Sequence, residues 1–542
     1  MRRTGMRRSL APISLTALAV IYRLGLLAIN AVPFNGDEAI VALMARHILQ
    51  GERPTFFYGQ AYLGATDAWL VALSFSIFGE SVLAIRIVQI ALFAVFLLTS
   101  YLIAKRVGLT EWGARVALLW LALPPTMLTL YTTATLGGYG ETLVLGNVAI
   151  LLADSVARDT NCVKRKWLAL GLVAGFGLYT FPLILIYLAP IGLWLLIRKR
   201  TWIGYGLALI GLIVGSAPWW WALIQSGGRE LAELAGAGVA GTIPGATYFD
   251  TLGVRLLNFC LFGASAWWGL RYPWSGAFVL PVIGVAVLAV YVGALAYVAR
   301  RPSTSPQRSS TAPQRGFARD AKPVLWGMIG VLLITFLATP FGGDPSGRYF
   351  LPLYLPLSIS IAMLLQAIRN AKGTFVTLLL AGVIGYNVAG TALAAAVQPP
   401  GITTQFDPVT WIDHTRDQAL IDFLLAQGET RGYTNYWVQT PIAFLSQERI
   451  LSAAALPYHL GLDYTPRDDR YPPYTQAVAQ ADRAFYITTN HPPLAAVIRD
   501  GLRRLGVSFK EQVIGTYQVF YGLSRKVTPQ ELGIGKSVTG DQ

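Results

Sequence analysis

The run Leu10-Ala-Pro-Ile-Ser-Leu-Thr-Ala-Leu-Ala-Val-Ile-Tyr-Arg-Leu-Gly-Leu-Leu-Ala-Ile29, followed at once by Asn30-Ala-Val-Pro-Phe-Asn-Gly-Asp-Glu38, decides the fold class. About 20 mainly apolar residues are what an α-helix needs to cross the hydrocarbon core of a bilayer. Here they follow a basic start, Arg2, Arg3, Arg7 and Arg8. The run is long, and many more follow it, so it reads as a retained signal anchor rather than a cleaved signal peptide. Comparable runs recur near 82–104, 112–130, 140–157, 167–181, 183–197, 202–224, 276–299, 324–340, 349–368 and 374–394. That predicts eleven crossings. The fifth and sixth are short and read as a broken pair around Tyr179-Thr-Phe-Pro182.

Composition agrees. Of 542 residues, 54% are hydrophobic, 12% aromatic and 13% charged, against a charged share of ~25% in soluble domains. A single soluble domain, a disordered chain and a collagen are excluded. The net charge of +15 invites a nucleic-acid reading until it is located. Residues 395–542 hold 13 basic and 14 acidic residues, and the apolar remainder holds 30 basic against 14 acidic. In that remainder the basic residues cluster beside the spans: Lys105 and Arg106; Arg158 and Lys164 to Lys166; Arg198 to Arg200; six from Arg300 to Lys322; Arg369 and Lys372. This is the positive-inside pattern, so those loops are predicted to be cytoplasmic, with no nucleic-acid partner needed. The N-terminus is then cytoplasmic and the C-terminus extracytoplasmic, in a multi-pass protein of the plasma (inner) membrane. Cys162 and Cys260 fall on opposite sides, and no disulfide is expected.

Two units follow: a transmembrane domain over 1–394 and a small extracytoplasmic α/β domain over 395–542. The second shows helical spacing in Asp417–Ala426 and 493–505, and strand-like stretches at 450–452 and 484–487. Residues 31–81 form a first outside loop, with an interfacial helix over Glu38–Leu49 marked by Arg46 and His47 in an apolar run. Residues 225–275 form a second, and 300–322 a Pro/Ser/Gln/Arg-rich cytoplasmic linker.

Acidic groups beside a bilayer are costly and therefore informative. Asp37 and Glu38 follow the first span, Glu141 opens the fourth in Leu136-Gly-Gly-Tyr-Gly-Glu141, and Asp344 precedes Arg348-Tyr349 at the tenth. All are predicted on the outer side. Each has a bland reading as well: Asp37 as a helix cap with Glu38 in the first turn, Glu141 as a first-turn residue, Arg348 as an interface anchor. Four histidines, His47, His414, His459 and His491, show no metal-ligand spacing, and no obligatory metal is expected. Arg431-Gly-Tyr-Thr-Asn-Tyr-Trp437 and Arg470-Tyr-Pro-Pro-Tyr474 suit either sugar stacking or the core of the α/β domain.

The order of one span, an outside loop opening with Asp37-Glu38, an interfacial helix, and an aromatic stretch ending Ser74-Phe-Ser-Ile-Phe-Gly79 before Ala84-Ile-Arg86 resembles the membrane-embedded C-type glycosyltransferases (GT-C). Within them it is most similar to the protein O-mannosyltransferase and aminoarabinose transferase group, over roughly residues 1–395. The resemblance implies an all-α membrane bundle carrying the α/β domain. It implies an enzyme moving a sugar from a polyprenyl-phosphate carrier to a hydroxyl of an extracytoplasmic acceptor, with inversion. Asp37, Glu38 and Glu141 would be catalytic. Arg348, in Arg348-Tyr-Phe-Leu-Pro-Leu-Tyr-Leu-Pro356, would hold the donor phosphate with Tyr349, helped by Arg86 or Arg46. Tyr58, Gln60, Tyr62 and Tyr139 would meet the acceptor or sugar. Two lysines of the family pattern are absent, where Tyr58-Gly-Gln-Ala-Tyr-Leu-Gly64 and Tyr179-Thr-Phe-Pro182 stand instead. A transporter or flippase is the competing class, and it calls for midplane charges on broken helices and internal repeats.

Overall fold

The structure, a computed structural model, describes residues 2–159, 163–199, 201–228, 231, 233, 247–272, 274–300, 317–397, 401–462 and 464–535. Most of the linker expected over 300–322, together with Cys162 and Arg200, lies outside the described residues. Cys260 is a free, exposed thiol.

Each predicted span is helical over most of its length, but among the described residues only six helices are long and apolar enough to cross a membrane alone: Leu10–Ala28, Val82–Arg106, Tyr139–Arg158, Pro281–Arg300, Arg348–Ile368 and Gly373–Ala396. Trp202–Gly215 and Ala217–Ser226, bent by 59°, make a seventh if taken as one span. Proline accounts for part of the difference from eleven. The third segment is cut at Pro124-Pro125 into α5 (Glu111–Ala122) and α6 (Thr126–Tyr131). The fifth and sixth are α8 (Lys164–Thr180) and α9 (Leu185–Arg198), separated by extended Phe181 and a 3₁₀ turn beginning at Pro182. The packing of α8 on α10 (Trp202–Gly215) uses small residues. A Cβ on Gly171 or Gly175 of α8 would lie 2.0 Å from the Ala208 or Leu212 carbonyl oxygen, so the two helices touch backbone to backbone.

Arg23 shows how α1 (Arg2–Ala28) carries a charge within its apolar run. Its guanidinium is fully buried, donates 2.8 Å to Thr132 Oγ1 and lies 3.5 Å over the Phe93 ring.

The bundle has two chemically different ends. At one, Arg86 of α4 (Val82–Arg106) pairs with Glu38 of α2 (Gly36–Leu49). At the other, Arg106 pairs with Asp154 of α7 (Tyr139–Arg158), Arg369 lies 4.5 Å over the Trp112 ring, and Lys199 reaches the Asp159 carbonyl. The basic clusters therefore collect at the end remote from α2.

After Val397 the described chain resumes at Gly401 and builds a mixed five-stranded sheet in the order β4-β3-β5-β7-β6. The strands are β3 (Arg431–Thr434), β4 (Leu451–Ala454), β5 (Phe485–Thr489), β6 (Lys510–Ile514) and β7 (Tyr517–Tyr521). β3 runs parallel to β4 and β5, and β7 antiparallel to β5 and β6. All five residues of β5 are buried, as expected where helices cover both faces. Phe485 and Ile487 join one apolar cluster with Leu420, Leu424 and Ile442, while Tyr486 joins the other with Ile498 and Leu502.

This domain sits on α2 through helix Tyr436–Leu445. Phe444 packs on Phe34 and Phe75, and Arg46 donates 3.1 Å to the Phe444 carbonyl and 2.8 Å to Glu80. Both residues that mark α2 as an interfacial helix in sequence, Arg46 and His47, are thus satisfied by protein.

Candidate active site

Asn35 caps α2: its side-chain oxygen accepts from the Asp37 and Glu38 amides at 3.1 and 3.3 Å, and its amide nitrogen donates to Thr403 and Thr404. The cap leaves both acids in the first turn, pointing different ways. Asp37 is half-buried and turns toward the C-terminal domain. Its Oδ1 accepts from the Tyr436 hydroxyl at 3.1 Å and its Oδ2 from Thr404 Oγ1 at 2.8 Å. Burial pushes the Tyr436 hydroxyl well above its ordinary range, so it stays a donor. Among the described residues Asp37 has no cation within ion-pair distance.

Glu38 is spent elsewhere. It is 0% exposed and held by Arg86, itself 5% exposed, through two hydrogen bonds of 2.9 and 2.8 Å. Such a planar, doubly bonded pair satisfies both groups and pins α2 to α4. It takes Arg86 away from a phosphate and Glu38 away from the acceptor, contrary to the roles the sequence suggests for them. Arg46 is likewise committed, to Glu80 and Glu448.

Arg348 follows Gly347, whose φ of +87° and close approach to Ala266 suit only glycine. The guanidinium is 2.6 Å from Asp344, donates 3.3 Å to the Tyr349 hydroxyl and stacks 5.1 Å from the Trp274 and Tyr349 rings. Its Nε is buried without a hydrogen-bond partner. Tyr62, Tyr131 and Tyr139 all lie within its electrostatic reach, and Tyr131 also feels Asp37. Arg348 and Asp37 thus both neighbour Tyr131.

Glu141 is 3% exposed, and its carboxyl meets that of Asp67. Asp67, in α3 (Thr66–Phe78), accepts from Gln89 at 3.1 Å and from the Gly137 amide at 3.0 Å. An acid inside an apolar helix was the available signal for Asp67, and the sequence reading passes over it.

Tyr58 serves the domain junction. Its hydroxyl donates 2.5 Å to Glu52 and lies 3.0 Å from His47 Nδ1, and its ring stacks at 4.7 Å on Tyr471, which donates 2.7 Å to Glu52. Gln60, in β2 (Gln60–Gly64), is half-buried and forms no side-chain hydrogen bond among the described residues. In the stretch Arg431–Trp437, Tyr433 and Trp437 fill the core of the C-terminal domain, while Tyr436 reaches the site.

The segment after Pro466, from which the sequence offers Arg470 to Tyr474 for sugar stacking, also brings charges to the site. Arg470 lies 4.4 Å over the Tyr436 ring, within reach of Asp37 and Tyr62. Asp468 is close by: burial pushes its carboxyl up to about 7, with Arg470 and Arg467 pulling down and Asp37 adding to the rise.

Tyr62 and Tyr349 also form one wall of an apolar cavity of about 420 Å³, lined further by Phe181, Trp220, Leu332 and Phe336. The break between α8 and α9 supplies Phe181 and Pro182 to it. Among the described residues no three His, Cys, Asp or Glu side chains cluster to suit a metal.

Residues 66–221 match the family model of the dolichyl-phosphate-mannose-protein mannosyltransferases. Along nearly its whole length the chain matches the crystal structure of ArnT from Cupriavidus metallidurans bound to undecaprenyl phosphate, with 94% of this chain and 97% of that one aligned, a TM-score of 0.53 and 12% identity. The chain has the GT-C fold. Two other GT-C structures resemble it less well. ArnT from Cupriavidus metallidurans in the apo state aligns over 96% and 98% of the chains at TM-score 0.49 and 12% identity. The apo oligosaccharyltransferase of Archaeoglobus fulgidus aligns over 88% of this chain and 69% of that one at TM-score 0.49 and 14% identity. No curated protein sequence matches the chain. The stretch matched by the family model contains Asp67, Arg86 and Glu141, but neither Asp37 nor Arg348.

Proposed function

We propose that this multi-pass membrane protein is a glycosyltransferase that moves a sugar from a polyprenyl-phosphate carrier to a hydroxyl of an acceptor. The observation that carries the reading is the approach of Asp37 and Arg348 to one tyrosine, Tyr131, with Tyr349, which accepts from Arg348, in the wall of the apolar cavity. A phosphate on Arg348 would place the adjoining lipid in that cavity and the sugar toward Asp37. In the transfer, Asp37 accepts the acceptor hydroxyl's proton as that oxygen attacks the anomeric carbon. The bond from that carbon to the phosphate oxygen breaks with its electron pair, and the phosphate leaves onto Arg348 and Tyr349. In-line attack inverts the anomeric centre. The base is Asp37 rather than Glu38, because Glu38 is closed off by Arg86. The gathering of basic clusters at the far end of the bundle supports a cytoplasmic position for that end and an extracytoplasmic one for the C-terminal domain, in the plasma (inner) membrane.

The test is donor binding to Arg348 variants. Arg348→Ala weakens polyprenyl phosphate by about 10- to 100-fold, as expected for a lost charge-assisted hydrogen bond, and Arg348→Lys recovers part of the loss. Titration of the purified protein in nanodiscs reads both, and unchanged affinity in Arg348→Ala would sink the phosphate role.

Asp468 gives a second expectation. It faces Arg470, Arg467, Asp37, Tyr436, Tyr458 and Tyr464. Neutral below about 7 and ionised above, it adds a negative charge to the site as pH rises. A polyprenyl-phosphate sugar, a diester, keeps one charge throughout. Donor affinity therefore falls a few-fold as pH rises through about 7, and the step disappears in Asp468→Asn. An identical pH profile in that variant would remove Asp468 from the site's electrostatics.

A further inference from the structure

We propose that Arg470, from the C-terminal domain, is the second cation of the donor-phosphate subsite and faces Arg348 across Tyr62. The inference deepens the reading above and rests on it.

Charge balance at the site is the first argument. Arg348 is matched by Asp344 at 2.6 Å, and Asp37 adds a further negative charge. With these three alone the site is net negative, which disfavours a phosphodiester and, still more, the dianionic phosphate that leaves. A second guanidinium offsets that charge. Arg86 and Arg46 are excluded as its source by their own carboxylates. Arg470 is uncommitted: among the described residues it has no ion pair within 4.0 Å and no side-chain hydrogen bond, while Asp37, Asp468 and Tyr62 lie within its electrostatic reach.

Placement is the second argument. The Arg470 stem rests on the first loop at Gly59, where an added Cβ would lie 2.9 Å from Arg470 Cγ, and its head is fixed over the Tyr436 ring at 4.4 Å. Tyr436 in turn donates to Asp37. The head is thus held still with its N–H donors unspent, the arrangement expected of a preorganised anion ligand. Tyr62, in the strand after Gly59, packs edge-on against Phe341, which packs on Tyr349 beside Arg348, so Arg470 and Arg348 both approach the wall of the apolar cavity. The phosphate subsite is then complete only with the C-terminal domain in place.

The experiment uses the full-length protein in nanodiscs, with undecaprenyl phosphate and uncharged undecaprenol as probes. The readout is the preference for phosphate over alcohol within each variant, which cancels general damage to the fold. Arg470→Met, which keeps the stem on Gly59, is expected to lose about 10- to 100-fold of that preference. Arg470→Lys is expected to retain most of it, and Arg504→Gln, an exposed residue of helix Pro492–Arg504, all of it. In turnover, Arg470→Met raises KM for the donor more than Arg470→Lys does. Full wild-type preference in Arg470→Met overturns the assignment of Arg470 while leaving the donor class standing. A wild-type protein with no preference for the phosphate removes the donor reading itself, and this inference with it.

Discussion

Asp37→Asn lowers transfer by about 10²- to 10⁴-fold, the usual worth of a positioned general base, with donor affinity unchanged or slightly improved. The substitution is close to isosteric. An asparagine oxygen still accepts from Tyr436 or Thr404, so α2 and its Asn35 cap remain as they are. What is lost is the ability to take a proton. Loss of a negative charge beside the phosphate would strengthen, not weaken, donor binding, so a fall in kcat with KM level or lower separates a base from a structural residue. A Tyr436→Phe variant removes one of the two donors that aim the carboxylate and is expected to cost less than Asp37→Asn in kcat. A loss smaller than about 10²-fold in Asp37→Asn would eliminate it as the base.

The second large effect is on stability and comes from Glu38 and Arg86. Removing one partner of a buried ion pair leaves the other charged, desolvated and unpaired, at about 3–5 kcal/mol. Arg86→Met is therefore expected to lower thermal stability sharply, and Glu38→Gln to do so less, since an amide keeps an acceptor for Arg86. The double variant Glu38→Gln/Arg86→Met recovers much of the loss, because no charge is left stranded. Melting in detergent across this cycle measures the coupling. The folded fraction of the double variant still binds polyprenyl phosphate with near wild-type affinity. Strong loss of phosphate binding there, with stability restored, would return Arg86 to the donor site.

How far the chain could be read without coordinates follows from what kind of information each feature needs. Spans and the α/β domain are local patterns: apolar runs bounded by basic clusters, and the helical spacing of Asp417–Ala426, which forms a helix over those same residues. The third span was misjudged in length because Pro124-Pro125 breaks an otherwise apolar run. Asp37 and Arg348 stand out because charge is scarce beside the bilayer, and both neighbour Tyr131. The partners that decide each residue's role were not readable. Glu38 and Arg86 are 48 positions apart and Asp37 and Tyr436 399 apart, and no local pattern encodes such pairings. Arg470 opens Arg470-Tyr-Pro-Pro-Tyr474, which stands out in sequence for its aromatic rings, and only tertiary packing against Gly59 and Tyr436 brings its guanidinium to Asp37. Tyr58 failed for the converse reason. A tyrosine in an outside loop suits a sugar as well as it suits Glu52, His47 and Tyr471.

The central claim, lipid-phosphate sugar transfer with Asp37 as the base, is tested most directly by reconstituting the purified protein in liposomes. Polyprenyl phosphates carrying a series of radiolabelled sugars, and the matching nucleotide sugars, are supplied with a panel of hydroxyl acceptors. The account predicts that label passes to an acceptor from a polyprenyl-phosphate sugar, not from any nucleotide sugar, and that Asp37→Asn abolishes the transfer. Label moving from nucleotide sugars alone, or at the wild-type rate in Asp37→Asn, would contradict it.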